Sequence, residues 1–273
     1  MSARTRSTAV KVALIGGGSI ACVIVRSLLE RHPEIRIVGA LGHDRDRAKE
    51  RLGGRIPVTS SIDELMSWKP TLVVECAGHE ALAEHGVAVL ERGVDLIVAS
   101  VGALAKPELE RALREAAAAG RSHIRIPSGA IGGLDALAAA RVGGLDSVRY
   151  SGRKSVQAWR GTAAERVVDL ATLDKAAVIF EGSARDAALM YPQNANVTAA
   201  TALAGVGFDA TRVTLFADPQ ARGNEHEIEA TGRFGTMKFS VVNAPLPENP
   251  KTSSLAAYSL VRCVLAPAEA VQI

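Results

Sequence analysis

Three kinds of residue in this 273-residue chain stand in patterns with chemical meaning: one histidine on an alternating strand, a few isolated cations and a glycine turn. His226 lies within Asn224-Glu225-His226-Glu227-Ile228-Glu229. Side chains alternate across a strand, so the three glutamates share one face and Asn224, His226 and Ile228 share the other. The imidazole therefore points away from the acidic, wet side. That orientation suits either a cleft wall or a buried structural histidine. With an ordinary pKa of about 6.5, such a group gives and takes protons near neutrality. His79 is its rival, because it follows an apolar strand; His32, His43, His85 and His123 read as structural or exposed. Arg153, Lys154 and Arg185 are the cations that suit a carboxylate, a guanidinium gripping it through two parallel bonds. Plain surface charge is the competing reading for each of them.

The glycine turn is Val12-Ala13-Leu14-Ile15-Gly16-Gly17-Gly18-Ser19-Ile20-Ala21, an apolar strand running into G-x-G-x-x-A and then an apolar helix. Dinucleotide pyrophosphate needs that order: a tight turn, close backbone N–H groups, a small residue for packing and a helix amino terminus facing the anion. Gly16, Gly18, Ser19 and Ile20 are accordingly the candidate cofactor contacts. An acidic residue after the second strand selects NAD by bonding the ribose 2′-hydroxyl. Asp44 is the nearest candidate, although it comes later than usual, and Arg45 and Arg47 beside it suit a 2′-phosphate. Asp44-Arg45-Asp46-Arg47 also reads as a solvated helix start, so the cofactor is NAD or NADP.

These residues need elements to hold them. Continuous apolar strands are expected over 36–41, 71–76, 95–99 and 123–127, alternating with helices over 46–52, 61–68, 79–91 and 107–119. That alternation means a parallel sheet covered on both faces, with ligands beyond the carboxyl ends of its strands. From about Asp146 the texture changes to period-two alternation, with a hairpin turning at Gly232–Gly235 and helices near 183–190, 196–204 and 253–265. The fold class is therefore α/β: an amino-terminal Rossmann doubly wound parallel sheet with a mixed α+β catalytic domain. The expected domains are 1–135 for the dinucleotide and 136–273 for substrate, the terminal helix able to pack back on the first.

Composition excludes several other classes. The chain is 48% hydrophobic, 22% charged and 4% aromatic, with a formal net charge of +3. No basic run interleaves with aromatics, which argues against nucleic acid. No apolar window reaches the roughly 18 residues of a membrane span. Cys22, Cys76 and Cys263 are too scattered for a disulfide framework or a zinc site, so no metal is expected and a cytoplasmic location is. Cys76 lacks a base partner, and Lys251 beside Pro250 is explained by helix-start chemistry.

Several segments together resemble one family. They are Ser100-Val101-Gly102-Ala103-Leu104, Pro127-Ser128-Gly129-Ala130-Ile131-Gly132-Gly133-Leu134-Asp135-Ala136, Phe180-Glu181-Gly182-Ser183-Ala184-Arg185, Asn194-Ala195-Asn196-Val197, Asn224-Glu225-His226-Glu227-Ile228 and Glu248-Asn249-Pro250-Lys251-Thr252-Ser253. In this order, over nearly the whole chain, they resemble the L-aspartate dehydrogenases. The resemblance implies oxidation of L-aspartate, a small dicarboxylic amino acid, with NAD or NADP to iminoaspartate. The imine then hydrolyses to oxaloacetate and ammonia or feeds NAD biosynthesis. Carried over by position, Ala130 and Asn196 become nicotinamide-dinucleotide contacts and His226 the catalytic residue, meeting the nicotinamide ring across a cleft. A homodimer is implied as well. The chain departs from the family in having Ala21 where a third glycine is usual, and in a loosely matched Asp44 region. Alternatives are a related dehydrogenase of another small acidic amino or hydroxy acid, and a non-catalytic dinucleotide sensor.

Overall fold

The computed structural model describes residues 10–247 and 249–271. Strand β1 (Lys11–Ile15) leads into α1 (Ser19–Arg31), followed by β2 (Arg36–Leu41), α2 (Arg45–Arg51), β3 (Val58–Thr59), α3 (Ile62–Ser67), β4 (Leu72–Glu75), α4 (His79–Glu91), β5 (Asp95–Val98), α5 (Pro107–Gly120) and β6 (Ile124–Arg125). The strands form one parallel sheet in the order β3-β2-β1-β4-β5-β6. This is the Rossmann arrangement expected from the alternation. Val12, Leu14, Val73, Val74, Leu96 and Ile97 are fully buried because helices cover both faces, which is why the strands are continuously apolar. Strand order reverses between β1 and β4, and open α/β sheets bind ligands beyond the carboxyl ends of strands at such a point.

Beyond β6 the chain forms α6 (Leu134–Gly143), β7 (Leu145–Lys154), α7 (Val156–Trp159), β8 (Ala177–Ser183), α8 (Ala184–Met190), α9 (Asn196–Ala204), β9 (Arg212–Ala217), β10 (Asn224–Gly232), β11 (Gly235–Asn243), β12 (Pro245–Leu246), β13 (Asn249–Ser253) and α10 (Ser254–Leu265). Five of these strands make a mixed sheet in the order β11-β10-β7-β9-β8, in which only β7 and β9 run parallel. Helices α6, α8 and α9 pack against it. Val148, Tyr150, Val213, Leu215, Ile228 and Ala230 are buried, while Arg149 and Arg212 alternate with them as exposed residues. The fold class expected from sequence is the one observed.

Two compact units result. One holds residues through Ser100, Ala112–Arg125 and the chain from Leu260; the other holds Val101–Arg111 and Ile126–Ser259. In the first, Leu260, Val261 and Val264 at the end of α10 join a core with Val12, Leu14, Ile24, Leu28 and Val74. Complete burial of a side chain such as Leu28 contributes about 2 kcal/mol.

Some elements differ from the sequence reading. The Ala-rich α6 opens on Gly133, in the left-handed region at φ +74°, without a side-chain cap to announce it. The segment leading into the terminal helix is strand β13, paired with β12. No helix among the described residues is long and apolar enough to cross a membrane.

Candidate active site

The glycine turn joins β1 to α1 as expected. Gly16 holds φ +122°, and a Cβ there would stand 3.1 Å from the backbone of Cys76 and Ala77. A side chain at Gly16 is therefore strained by the dihedral and crowded by the backbone of the neighbouring loop. A Cβ on Gly18 would meet nothing within 4 Å, so the turn opens outward at that residue. Gly18 is also the N-cap of the 13-residue α1, where no side chain accepts from the first N–H groups and no acidic residue stands in the first turn. Ser19 and Ile20 thus begin a helix whose amino-terminal dipole and donors are left for an anion. The Arg51 guanidinium reaches the Ser19 hydroxyl at 3.4 Å and adds positive charge there. Ala21 is fully buried, the small residue that lets α1 close on the sheet. These features fit a dinucleotide pyrophosphate.

Asp44 caps α2, its Oδ1 accepting from the Arg47 N–H at 3.0 Å. Arg45 and Arg47 are exposed beside it. One carboxylate oxygen is thus committed to the helix start.

Sequence reasoning gave no role to Glu75, the last residue of β4. Its carboxylate is fully buried, yet Oε1 accepts from the Ala77 N–H, the Gly78 N–H and the Ser100 hydroxyl, each at 2.9 Å. Oε2 accepts from the Ser100 N–H at 2.9 Å. Burial pushes its pKa up against those hydrogen bonds. One carboxylate thereby ties together the loops after β4 and β5, at the carboxyl edge of the sheet. A lone acid ending an apolar strand was the available signal. His79 opens α4 directly after this loop. Burial raises the Cys76 thiol far above its ordinary value, which makes it inert.

In the second unit His226 lies on β10 opposite Gly152 of β7, and Ile228 lies opposite Tyr150. The alternation read from sequence holds: His226 is 4% exposed and Tyr150 2%. The Tyr150 hydroxyl and His226 Nδ1 share a hydrogen bond of 2.7 Å, with the two rings stacked at 6.0 Å between centroids. A Cβ on Gly152 would stand 2.8 Å from the Tyr150 hydroxyl oxygen, so the absence of a side chain there lets the pair meet. Burial, and then the charge of Lys154, push the His226 pKa down to about 3. The imidazole is therefore neutral at physiological pH rather than poised near 6.5.

The three candidate cations differ sharply. Arg153 ion-pairs with Asp218 at 2.7 Å and with Glu225 at 3.6 Å. Arg185 forks onto Asp209 through bonds of 2.6 and 2.9 Å and donates to the Ala105 carbonyl. Lys154 follows Tyr150 and Gly152 on the same alternation of β7, and its Nζ donates to the neutral Asn194 Oδ1 at 2.5 Å. No carboxylate pairs with it among the described residues, and burial lowers its pKa to about 8. Lys154 is thus brought to the histidine, whereas Arg153 and Arg185 already carry carboxylate partners.

Asn196 opens α9, and its Oδ1 accepts from the Gly102 N–H at 2.9 Å. The Ala130 carbonyl accepts from Asn243 Nδ2 at 2.7 Å. Both residues sit in loops or helix starts of the second unit held by such cross-links. No group of three His, Cys, Asp or Glu positioned for a metal exists among the described residues.

Both parts of the chain match known protein families. Residues 16–127 match the family described as "Homoserine dehydrogenase, NAD binding domain", and residues 135–266 match "Aspartate dehydrogenase, C-terminal". The L-aspartate dehydrogenase of Cupriavidus necator is 47% identical over 264 residues, covering 96% of this chain and 99% of that protein. The chain belongs to the L-aspartate dehydrogenase family. The L-aspartate dehydrogenase of Pseudomonas aeruginosa is likewise 47% identical, with 96% of this chain and 99% of that protein covered. The fold of Thermotoga maritima aspartate dehydrogenase superposes with a TM-score of 0.75 at 24% identity, over 97% of this chain and 99% of that one. The family read from the sequence is confirmed. As a member of it, the chain is an oxidoreductase that takes NAD or NADP on its Rossmann unit.

Proposed function

We propose that the chain oxidises the α-amine of L-aspartate, with NAD or NADP, to iminoaspartate, which water converts to oxaloacetate and ammonia. The cofactor, when bound, supplies the hydride acceptor. Gly16, Gly18, Ser19 and Ile20 hold its pyrophosphate, Asp44 stands at the ribose, and Ala130 and Asn196 contact the dinucleotide. Lys154 takes a substrate carboxylate, in preference to Arg153 and Arg185. His226 accepts the ammonium proton, since hydride leaves Cα only when the neutral amine has a lone pair to form the C=N bond.

The observation that carries this reading is a cation without a counter-ion on the same sheet face as a neutral, buried histidine. A substrate carboxylate is what such a face lacks. Its charge would offset that of Lys154, which adds to burial in keeping the imidazole neutral, and so strengthen the base on binding. The reading extends to a homodimer in the cytoplasm whose product feeds pyridine-nucleotide synthesis; these points rest on family membership.

The deciding assay is aspartate-dependent reduction of NAD and NADP, with ammonia and oxaloacetate quantified, beside a panel of amino and hydroxy acids. Equimolar products with aspartate preferred support the reading. Cofactor binding without turnover on any substrate overturns it in favour of a sensor.

A further inference from the structure

Lys154 differs from the other two candidate cations in what holds it. Arg153 lies on Asp218 and Glu225, and Arg185 on Asp209, all carboxylates. The Lys154 Nζ instead donates to Asn194 Oδ1 at 2.5 Å and lies 5.8 Å from the centre of the Trp159 ring. An ammonium has three N–H donors and no acceptor, so the amide meets it through its carbonyl oxygen. Both neighbours are neutral groups that present electron density, one an amide oxygen and the other an indole face. Neither cancels the charge. Both are also held from behind. Trp159, at the end of α7, is fully buried and donates its Nε1–H to the Phe216 carbonyl of β9 at 3.0 Å. The Tyr191 ring meets Trp159 edge-on at 5.5 Å, and its hydroxyl donates to the Ile179 carbonyl of β8 at 3.2 Å. The Tyr191 carbonyl accepts from the Asn194 N–H at 2.8 Å, closing the turn that presents the amide to Lys154.

We propose that Asn194 is a positioning residue for Lys154: its side-chain carbonyl fixes the ammonium through one N–H and leaves the other two, with the positive charge, for a substrate carboxylate. Lys154 shares the alternation of β7 with Gly152, the residue in register with His226, so the cation is fixed on the histidine's face of the sheet. An aspartate at 194 would have the same size and would pair with the ammonium as Asp218 pairs with Arg153. It would then compete with substrate for the one cation on this face that lacks a carboxylate partner among the described residues. A residue with no polar side chain would leave the four-carbon stem free to swing. The amide alone combines a fixed position with an uncancelled charge. The inference rests on the reading of Lys154 as the carboxylate anchor.

Steady-state kinetics of the full chain, with aspartate and cofactor each varied while the other saturates, tests this on Asn194→Asp and Asn194→Ala. N194D should raise KM for aspartate about tenfold or more, with KM for cofactor within about twofold and kcat within about threefold. N194A removes one hydrogen bond without neutralising the cation, and its KM for aspartate should rise only about threefold. That order separates charge from shape, because a merely structural role would make the isosteric N194D the milder change. In the background of Lys154→Met, N194A should add less than about twofold, since its effect passes through the missing ammonium. An N194D protein with unchanged KM for aspartate, N194A more damaging than N194D, or a full N194A effect on top of K154M overturns the proposal. An unchanged KM in K154M by itself overturns the anchoring role of Lys154, and this inference with it. An impaired K154M beside an unaffected N194D overturns the role of Asn194 alone. Should N194D fail to fold, N194A with and without K154M still decides.

Discussion

The glycine turn and the His226 face are built on opposite plans. The turn is made of backbone, and its parts are consecutive: β1, Gly16 to Gly18, and the start of α1. Its chemistry is a set of N–H groups and a dipole, which many side chains would serve equally if the glycines remain. The His226 face is made of side chains from β7 and β10, with 76 residues separating Tyr150 from His226. Its chemistry depends on single atoms at single positions. A backbone site should therefore lose affinity gradually when its supports are altered, whereas the side-chain site should fail outright.

The sharpest break is His226→Ala. Loss of a positioned proton acceptor should lower kcat by roughly 10²- to 10⁴-fold. Cofactor affinity, measured by fluorescence titration, should be retained because the glycine turn is untouched. His79→Ala is the control: an inactive His79 variant beside a near-normal His226 variant would move the catalytic role to the first unit.

Next in size is Lys154→Met, which keeps much of the stem and removes the charge. KM for aspartate should rise about tenfold or more, well beyond any change in KM for cofactor. A carboxylate anchor of this kind also has a pH signature. Lys154 is cationic below about 8 and neutral above, so inhibition by a dicarboxylate of fixed charge, such as succinate, should weaken as pH rises through that value. In K154M the inhibition should be weak and flat across the same range. A wild-type profile with no such fall, or an unchanged KM in the variant, would remove Lys154 from the site.

The same contrast explains what could be read without coordinates. The parallel sheet, its order of elements and the helix start at Asp44–Arg47 are local patterns, and they appear as expected. The inward face of His226 was legible because alternation is local too. Tyr150 was not, since only the β7–β10 register places it against His226. Distinguishing Lys154 from Arg153 was equally out of reach. Adjacent on the strand, they point to opposite faces, and the carboxylates that occupy Arg153 lie at Asp218 and Glu225. Strands β8 and β9 escaped notice because their pairing is non-local. Glu75 was visible as a residue but not as a hub, because its partners are mainly backbone N–H groups that carry no sequence signature.

Glu75→Gln tests whether support of the glycine turn behaves as a backbone site should. The amide keeps one acceptor for the Ala77 and Gly78 N–H groups and turns a donor toward the Ser100 N–H. Losing that buried bond should destabilise the protein by about 1–3 kcal/mol, read as a lower Tm. Because the loop after β4 lies against Gly16, cofactor Kd should rise several-fold while kcat at saturating cofactor changes little. A large loss of kcat with unchanged Kd would instead place Glu75 beside the chemistry.

The smallest effect belongs to Asp44→Ala, and it separates two roles that a single carboxylate can serve. As a cap, Asp44 accepts from the Arg47 N–H, and its removal should cost about 1 kcal/mol of stability whichever cofactor is present. As a ribose contact, its remaining oxygen favours the 2′-hydroxyl of NAD and repels the 2′-phosphate of NADP, while Arg45 and Arg47 pull the other way. Removal should then weaken NAD, strengthen NADP and shift the Kd ratio by severalfold. Titrating both cofactors against D44A gives the answer from their ratio, because lost stability moves the two constants together and lost selectivity moves them apart. An unchanged ratio with a lowered Tm would reduce Asp44 to a helix cap. A turn made of backbone would then bind the shared pyrophosphate while leaving the choice of cofactor to the two exposed arginines.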